Sequence, residues 1–240
     1  MAEGIEISDR EGIRIVTFAR PEAMNSWGRA MRRAIAAAIR TADAEEGVRA
    51  LVFTGSGERA FGAGQDLREK GPADAAEADV WVDEWEDFFD AVRHFSKPAV
   101  AALNGVAAGS HFQFVLMLDG RIGHPGIRMG QPEIKGGVAS AMGPWAIQTF
   151  MGALAARDLA LSGRMMDAEE CLRRGLVLRL VPAEEVLPAA IALAEQLAGH
   201  SPLAMRLTKD RLRSLTEASY REVFPLWKRN LRETIAAKAG

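Results

Sequence analysis

The chain has 240 residues, with 30 Lys and Arg against 32 Asp and Glu, a formal net charge of -2 and 48% hydrophobic residues. That is enough for one large core or two small ones, and neither charge sign shows the excess that a nucleic-acid surface or an acidic tail would need. Cys171 is the only cysteine, so an intrachain disulfide is excluded and a structural thiol in a reducing compartment is expected. The acidic start, Met1-Ala2-Glu3-Gly4-Ile5-Glu6, lacks the basic-then-apolar order of a signal peptide. The apolar runs Val100–Leu103 and Phe112–Leu118 are far shorter than the roughly 20 residues of a membrane span. A cytoplasmic protein with no membrane and no nucleic-acid partner is expected.

In chain order, alternation over Ile13–Phe18 predicts a strand. A helix follows Pro21, with Ser26 as its N-cap and Met31, Ile35, Ala38 and Ile39 on one face. The apolar run Ala50–Thr54, ended by Gly55, predicts a buried strand. Small and polar residues from Gly71 to Ala78 predict a loop. Trp81, Trp85, Phe88, Phe89 and Val92 then form an aromatic helix stripe, read as core rather than as a ligand box. Pro98–Leu103 is the next strand, entering an Asn104-Gly105 turn. Beyond Leu154 the pattern is purely helical, notably over Ala183–Leu197 and Pro202–Leu215, and the last helix ends soon after Trp227. Alternating strands and helices predict an α/β layer architecture.

Three glycine-rich turns follow short strands. Gly55-Ser56-Gly57-Glu58-Arg59-Ala60 fits a loose dinucleotide pattern, but Phe61-Gly62-Ala63-Gly64 and a loop follow where a helix should open. With no Walker-type lysine either, nicotinamide binding and nucleotide hydrolysis are both disfavoured. The second turn, Phe61 to Leu67, lets backbone approach a ligand closely at the glycines flanking Ala63. The third, Asn104 to Ser110, runs into a segment apolar nearly all round, which predicts a buried helix whose N-terminal N–H groups face an anion or simply pack. Gly130-Gln131-Pro132-Glu133 follows, and by itself a Pro-Glu pair is a solvated turn.

Taken in order, these segments resemble the crotonase, or enoyl-CoA hydratase/isomerase, superfamily. Arg20-Pro21-Glu22-Ala23-Met24-Asn25 is similar to its R-P-x-x-x-N loop, Phe61–Leu67 to its F-x-A-G-x-D-L segment, and Lys97–Gly105 to its K-P-x-I-A-A-V-N-G strand and turn. Gln131-Pro132-Glu133-Ile134-Lys135 matches Q-P-E-I-x, and further matches run to Ser201-Pro202-Leu203-Ala204. The resemblance implies an α/β crotonase-like ββα spiral, with a spiral core over residues 1–190. Residues 191–240 would form a C-terminal helical region used for packing and oligomerisation.

It further implies Glu133 as catalytic acid/base, Gln113 as its catalytic companion, and the Ala63 and Ser110 amides as the oxyanion hole. Met24, Ala63, Gln65, Asp66, Leu67 and Gly109 would bind substrate or CoA. The implied partners are an acyl-CoA thioester and copies of the chain, as a homotrimer or homohexamer. No metal is implied, and no cofactor apart from the coenzyme A of the substrate.

Departures from the pattern leave the reaction open. Gln113 stands where hydratases carry a second glutamate, and Ser110 stands where glycine is expected. Gly143-Pro144 follows Ser140-Ala141-Met142 in place of P-G-A-G-G, and the E-G-x-x-A-F tail is missing. Hydration, single-glutamate isomerisation of a 3-enoyl to a 2-enoyl thioester, and a non-catalytic acyl-CoA-binding relative all stay open. His111 is either an additional acid or a packed histidine.

Overall fold

The computed structural model describes residues 4–239. Met1–Glu3, part of the N-terminal segment weighed above against a signal peptide, and Gly240 lie outside the described residues. Two sheets organise the chain. The larger has the order β1-β2-β3-β5-β7-β10 and the smaller β4-β6-β8-β9. β1 (Ile5–Arg10) and β2 (Ile13–Phe18) form an antiparallel hairpin, after which β2, β3 (Ala50–Gly55), β5 (Ala99–Leu103), β7 (Gly120–Gly123) and β10 (Arg179–Leu180) run parallel. Each of β3, β5 and β7 continues into a short strand of the smaller sheet: β4 (Ala60–Gly62), β6 (Val106–Ala108) or β8 (Arg128–Gly130). A helix follows each pair: α2 (Ala75–His94), α3 (Ser110–Leu116) and α4 (Met142–Met151). This repeated strand–strand–helix turn is the ββα spiral that the resemblance implied.

The apolar run of β3 reflects burial on both faces. Leu51 and Phe53 point into the main core with Phe18, Trp85, Phe88 and Phe114. Ala50 and Val52 join Ile13, Val100 and Ile122 beneath α7 (Val186–Ala198), which supplies Val186, Ala190, Ile191 and Ala194. The division expected between residues 190 and 191 therefore falls inside a helix packed on the sheet.

Helix α1 (Arg29–Ala44) buries Met31, Ile35, Ala38 and Ile39 as its periodicity predicts, but Ser26 is not its cap. Gly28 takes the N-cap position without a side-chain bond, and the Glu69 carboxylate, forty residues on, accepts the Arg29 N–H at 2.7 Å. A cap supplied across the fold leaves no local signal. The expected loop over Gly71–Ala78 is helical from Ala75. Asp74 accepts the Glu77 N–H at 2.9 Å while Glu77 accepts the Ala73 N–H at 2.8 Å, a reciprocal box that the Asp-x-x-Glu spacing does encode.

The region after Leu154 is not purely helical. Following α5 (Ala153–Ser162), β9 (Met165–Asp167) pairs with β8, and after α6 (Ala168–Arg173) β10 pairs with β7. Strands of two or three residues carry no readable period, and only their partners define them. Helix α8 spans Pro202–Ser214. The last helix, α9 (Glu217–Ala239), does not end soon after Trp227 but continues to Ala239, packed along α2.

The Arg20–Asn25 loop locks the first spiral turn. Met24 and Asn25 are left-handed (φ 54° and 53°), and Asn25 is fully buried. Its Oδ1 accepts the Arg20 N–H (3.0 Å), and its Nδ2 donates to the carbonyls of Ser56 (3.0 Å) and Ala60 (2.7 Å). Asn25→Ala is expected to lower stability by about 2–4 kcal/mol, combining orphaned buried groups with a left-handed alanine. Asn25→Gly, which takes that conformation freely, separates the two contributions, and urea midpoints of both variants read them out.

Candidate active site

The residues singled out by sequence converge where α3 begins, between the Phe61–Leu67 loop and the 3-10 turn Pro132–Gly136. Gly109 (φ 57°) donates its N–H to the Gly130 carbonyl at 3.0 Å and turns the chain from β6 into α3. A Cβ at Gly109 would meet Glu133 Oε1 at 3.3 Å, so the carboxylate rests directly on this backbone.

Glu133 is half-buried, and its acid oxygen is held by side chains rather than by solvent. Gln113, buried on α3, donates from Nε2 to Glu133 Oε1 at 3.1 Å and to Gln131 Oε1 at 3.3 Å. Gln131 in turn donates to the Ser140 hydroxyl at 3.3 Å. Burial raises the Glu133 pKa above the ordinary carboxylate value, while Ser140, Gln131 and Gln113 pull it the other way. A carboxyl group whose pKa is raised in this way is better matched to both taking and returning a proton. Gln131 and Ser140 are parts of this arrangement that the sequence carried without showing their role. Gln131 stands within the Q-P-E segment, but only the fold brings Ser140 beneath it.

The amides divide differently from the sequence expectation. The Ala63 N–H is not available to a ligand, because it donates to the Met24 carbonyl at 3.0 Å and ties the loop to the Arg20–Asn25 turn. Met24 thus serves the site through its carbonyl. Gly64 donates its N–H to His111 Nδ1 at 3.1 Å. Trp27 forms a parallel bridge with Gln65, its N–H reaching the Gly64 carbonyl and its carbonyl receiving the Asp66 N–H, both at 3.0 Å. In such a bridge alternate amides point opposite ways. The Gln65 N–H, two residues beyond Ala63, has no hydrogen-bond partner among the described residues. Nor has the Ser110 N–H, at the first position of α3. Unbonded donors therefore stand at Gln65 and in the first turn of α3, where Ser110 leads and the His111 and Phe112 N–H groups follow.

The Asp66 carboxylate is engaged by two arginines. Arg68 and Arg20, at 2.9 and 2.8 Å, hold its carboxyl well below the usual range, and Arg20 also grips the Ser26 carbonyl at 2.7 Å. Leu67 is 89% exposed at the rim of a cavity of about 490 Å³. Gln65, Trp81, Val138, Trp227 and Leu231 line that cavity, so α9 closes it from above. A cavity of similar size between Lys97, Leu203 and Arg206 contains none of these residues.

Trp27, Trp85 and Phe89 are buried core and Trp145 packs against Tyr220. The cavity wall is instead Trp81 and Trp227. Behind Trp81 the buried Arg32 guanidinium stacks on Trp85 at 4.0 Å and Trp81 at 5.2 Å, and burial lowers its pKa to about 10. His111 is fully buried and makes no contact with Glu133 among the described hydrogen bonds, so it is a packed histidine rather than an additional acid.

Comparison with known proteins gives the family. The family model described as Enoyl-CoA hydratase/isomerase matches residues 8–239. A probable enoyl-CoA hydratase of Rhizobium meliloti (strain 1021) is 34% identical over 219 residues, spanning 91% of this chain and 83% of its own. Carboxymethylproline synthase of Pectobacterium carotovorum subsp. carotovorum is 31% identical over 198 residues, spanning 82% and 79%. The crystal structure of an enoyl-CoA hydratase/isomerase from Mycobacterium paratuberculosis shares the fold, with a TM-score of 0.87 at 24% identity and 99% of both chains covered. A whole-chain match of this kind, on a ββα spiral, means that the protein belongs to the enoyl-CoA hydratase/isomerase family of enzymes.

Proposed function

We propose that the protein acts on an acyl-CoA thioester as a single-carboxylate proton shuttle, converting a 3-enoyl to a 2-enoyl thioester. The observation that carries this reading is the 3.1 Å contact from Gln113 Nε2 to Glu133 Oε1. Syn hydration is helped by two carboxylates sharing one water. Here the second group is an amide that cannot exchange a proton usefully, and it already occupies one oxygen of the first. The relatives' names include both a hydratase and a carboxymethylproline synthase, so family membership leaves the reaction open.

In this reading the thioester oxygen accepts from the Gln65 and Ser110 N–H groups. Glu133 removes a proton from C2, and the electrons flow into a C1=C2 bond as the carbonyl becomes an enolate conjugated with the C3=C4 bond, so that a C2=C3 bond forms only when C4 takes up a proton. The same carboxyl then returns the proton to C4, restoring the carbonyl and leaving the 2-enoyl product. Each preorganised N–H donor typically contributes about 3–4 kcal/mol as charge develops on the oxygen. The acyl chain lies in the cavity walled by Trp81 and Trp227, with Leu67 at its mouth. The chemistry asks for no cofactor beyond the coenzyme A of the substrate. The chain assembles as a trimer or a pair of trimers through exposed leucines of α5 and α8, among them Leu154, Leu161, Leu203 and Leu212. Sedimentation velocity should give three or six times the chain mass, and a monomer at micromolar concentration would exclude that assembly.

Glu133→Gln should lower turnover of a 3-enoyl-CoA on the order of 10²–10⁴-fold with thioester affinity nearly unchanged. Equal turnover in the two proteins would reduce Glu133 to a turn residue. The same substitution should raise stability at neutral pH. A carboxyl whose pKa rises on folding contributes stability below its unfolded value and loses it as pH climbs through the folded one. The melting-temperature gap between variant and parent should therefore close below about pH 4, where the unfolded carboxyl too is protonated. Gln113→Glu installs a second carboxylate against the first and should raise hydration of a 2-enoyl-CoA. A folded, thioester-binding variant that gains no hydration would count against this division of roles.

A further inference from the structure

Trp27 and His111 lie outside the reacting groups, yet between them they join the two segments that carry the unbonded amides. Those segments, residues 62–66 and 109–111, are more than forty positions apart in the chain. From the first segment, the Gly64 N–H is accepted by His111 Nδ1 at 3.1 Å, and the Gly64 carbonyl is held by the Trp27 N–H at 3.0 Å. From the second, the Ser110 hydroxyl accepts the Trp27 indole N–H at 2.9 Å. The two rings stack face to face, with centroids 3.4 Å apart and planes 20° from parallel.

The cluster is buried throughout. Trp27 and His111 are fully buried and Ser110 is 5% exposed. Phe18 stands edge-on to both rings, at 5.7 Å from Trp27 and 5.2 Å from His111. Gly62 is moulded to the imidazole, since a Cβ there would lie 1.9 Å from a His111 ring carbon. Complete burial holds the imidazole pKa well below its ordinary value, so the ring stays neutral and Nδ1 remains an acceptor.

We infer that the stacked Trp27–His111 pair is a positioning device that sets the separation and direction of the Gln65 and Ser110 N–H donors. The inference rests on the oxyanion reading given above. Trp27 brackets Gln65 through its own backbone, N–H on one side and carbonyl on the other, which turns the Gln65 N–H toward the cavity. Its indole, 83 positions away in the chain, fixes the first residue of α3 through the Ser110 side chain. Glycine at position 110 could supply the same donor but no hydroxyl for the indole to hold. The serine that departs from the family pattern is then the receiving end of this brace, and its hydroxyl takes no part in proton transfer.

The bond can be removed from either end, which makes the test a double-mutant cycle. Trp27→Phe keeps a ring to stack and loses the indole N–H, and Ser110→Ala loses the hydroxyl and keeps the backbone donor. His111→Leu removes the acceptor for Gly64, and His111→Asn restores an acceptor near the Nδ1 position. The probe is a conjugated arylacryloyl-CoA thioester, whose absorption moves to longer wavelength as its carbonyl is polarised, measured beside kcat, KM and thermal melting. A donor displaced by about 1 Å costs on the order of 10²-fold. Trp27→Phe and Ser110→Ala should therefore each shrink the red shift and lower kcat about 10- to 100-fold, with KM within about twofold. The double variant should be no worse than either single one, and His111→Asn should recover most of what His111→Leu loses. Should Trp27→Phe not fold, Ser110→Ala alone against the parent still reads the bond. A parental red shift and kcat in the single variants, or losses that add in the double variant, would overturn the positioning role while leaving the oxyanion reading intact. No red shift in the parent protein would overturn both.

Discussion

Buried backbone N–H groups are expensive to leave unpaired, and the arrangement of this protein turns on two that are. Around Gln65 and Ser110 the flanking donors are used: Ala63 on Met24, Gly64 on His111, Asp66 on Trp27, Gly109 on the Gly130 carbonyl. The unbonded Gln65 and Ser110 groups lie beside the mouth of a cavity and the carboxylate of Glu133. Much of the surrounding structure serves to hold that mismatch in place. The left-handed Met24-Asn25 turn, the Arg20–Asp66–Arg68 ion pairs and the Asn104 contacts to Gly55 and Gly57 all brace the loop that carries one donor.

The carboxylate is controlled by a different means. Its surroundings raise its pKa by burial, while three polar side chains hydrogen-bond to it and limit the rise. Gln113, Gln131 and Ser140 form one chain of side-chain contacts across α3, β8 and the start of α4. An amide at position 113 fixes the orientation of Glu133 without competing for its proton. That separates this site from one built on two glutamates, and it is the feature on which the proposed proton transfer between carbons rests.

Layering explains how such a site can be held rigidly. Each spiral turn passes a strand through the large sheet, a short strand through the small one, and then a helix. The loops between strands of the two sheets therefore emerge side by side. α7 covers one face of the large sheet and the aromatic cluster of α2 and α3 covers the other, so the sheet cannot shift without breaking both cores. The cavity is finished by α9, whose residues beyond Trp227 supply Leu231, Thr234 and Ile235.

The sequence alone determined the elements with strong local signals: the apolar run of β3, the amphipathic stripe of α1, the aromatic face of α2 and the buried turn into α3. It also brought forward Glu133, Gln113, Ser110 and the Phe61–Leu67 loop, which stand in a recognisable order and which the fold gathers at the start of α3. What it did not determine follows from contacts made at long range. β9 and β10 are too short to show a period and exist only through β8 and β7. The cap of α1 comes from Glu69. Which amide in Ala63-Gly64-Gln65 stays free depends on where Met24, Trp27 and His111 fall in space, and that is why the donor moved from Ala63 to Gln65. Local pattern fixes which backbone groups exist, and only the tertiary structure decides which of them are left without a partner.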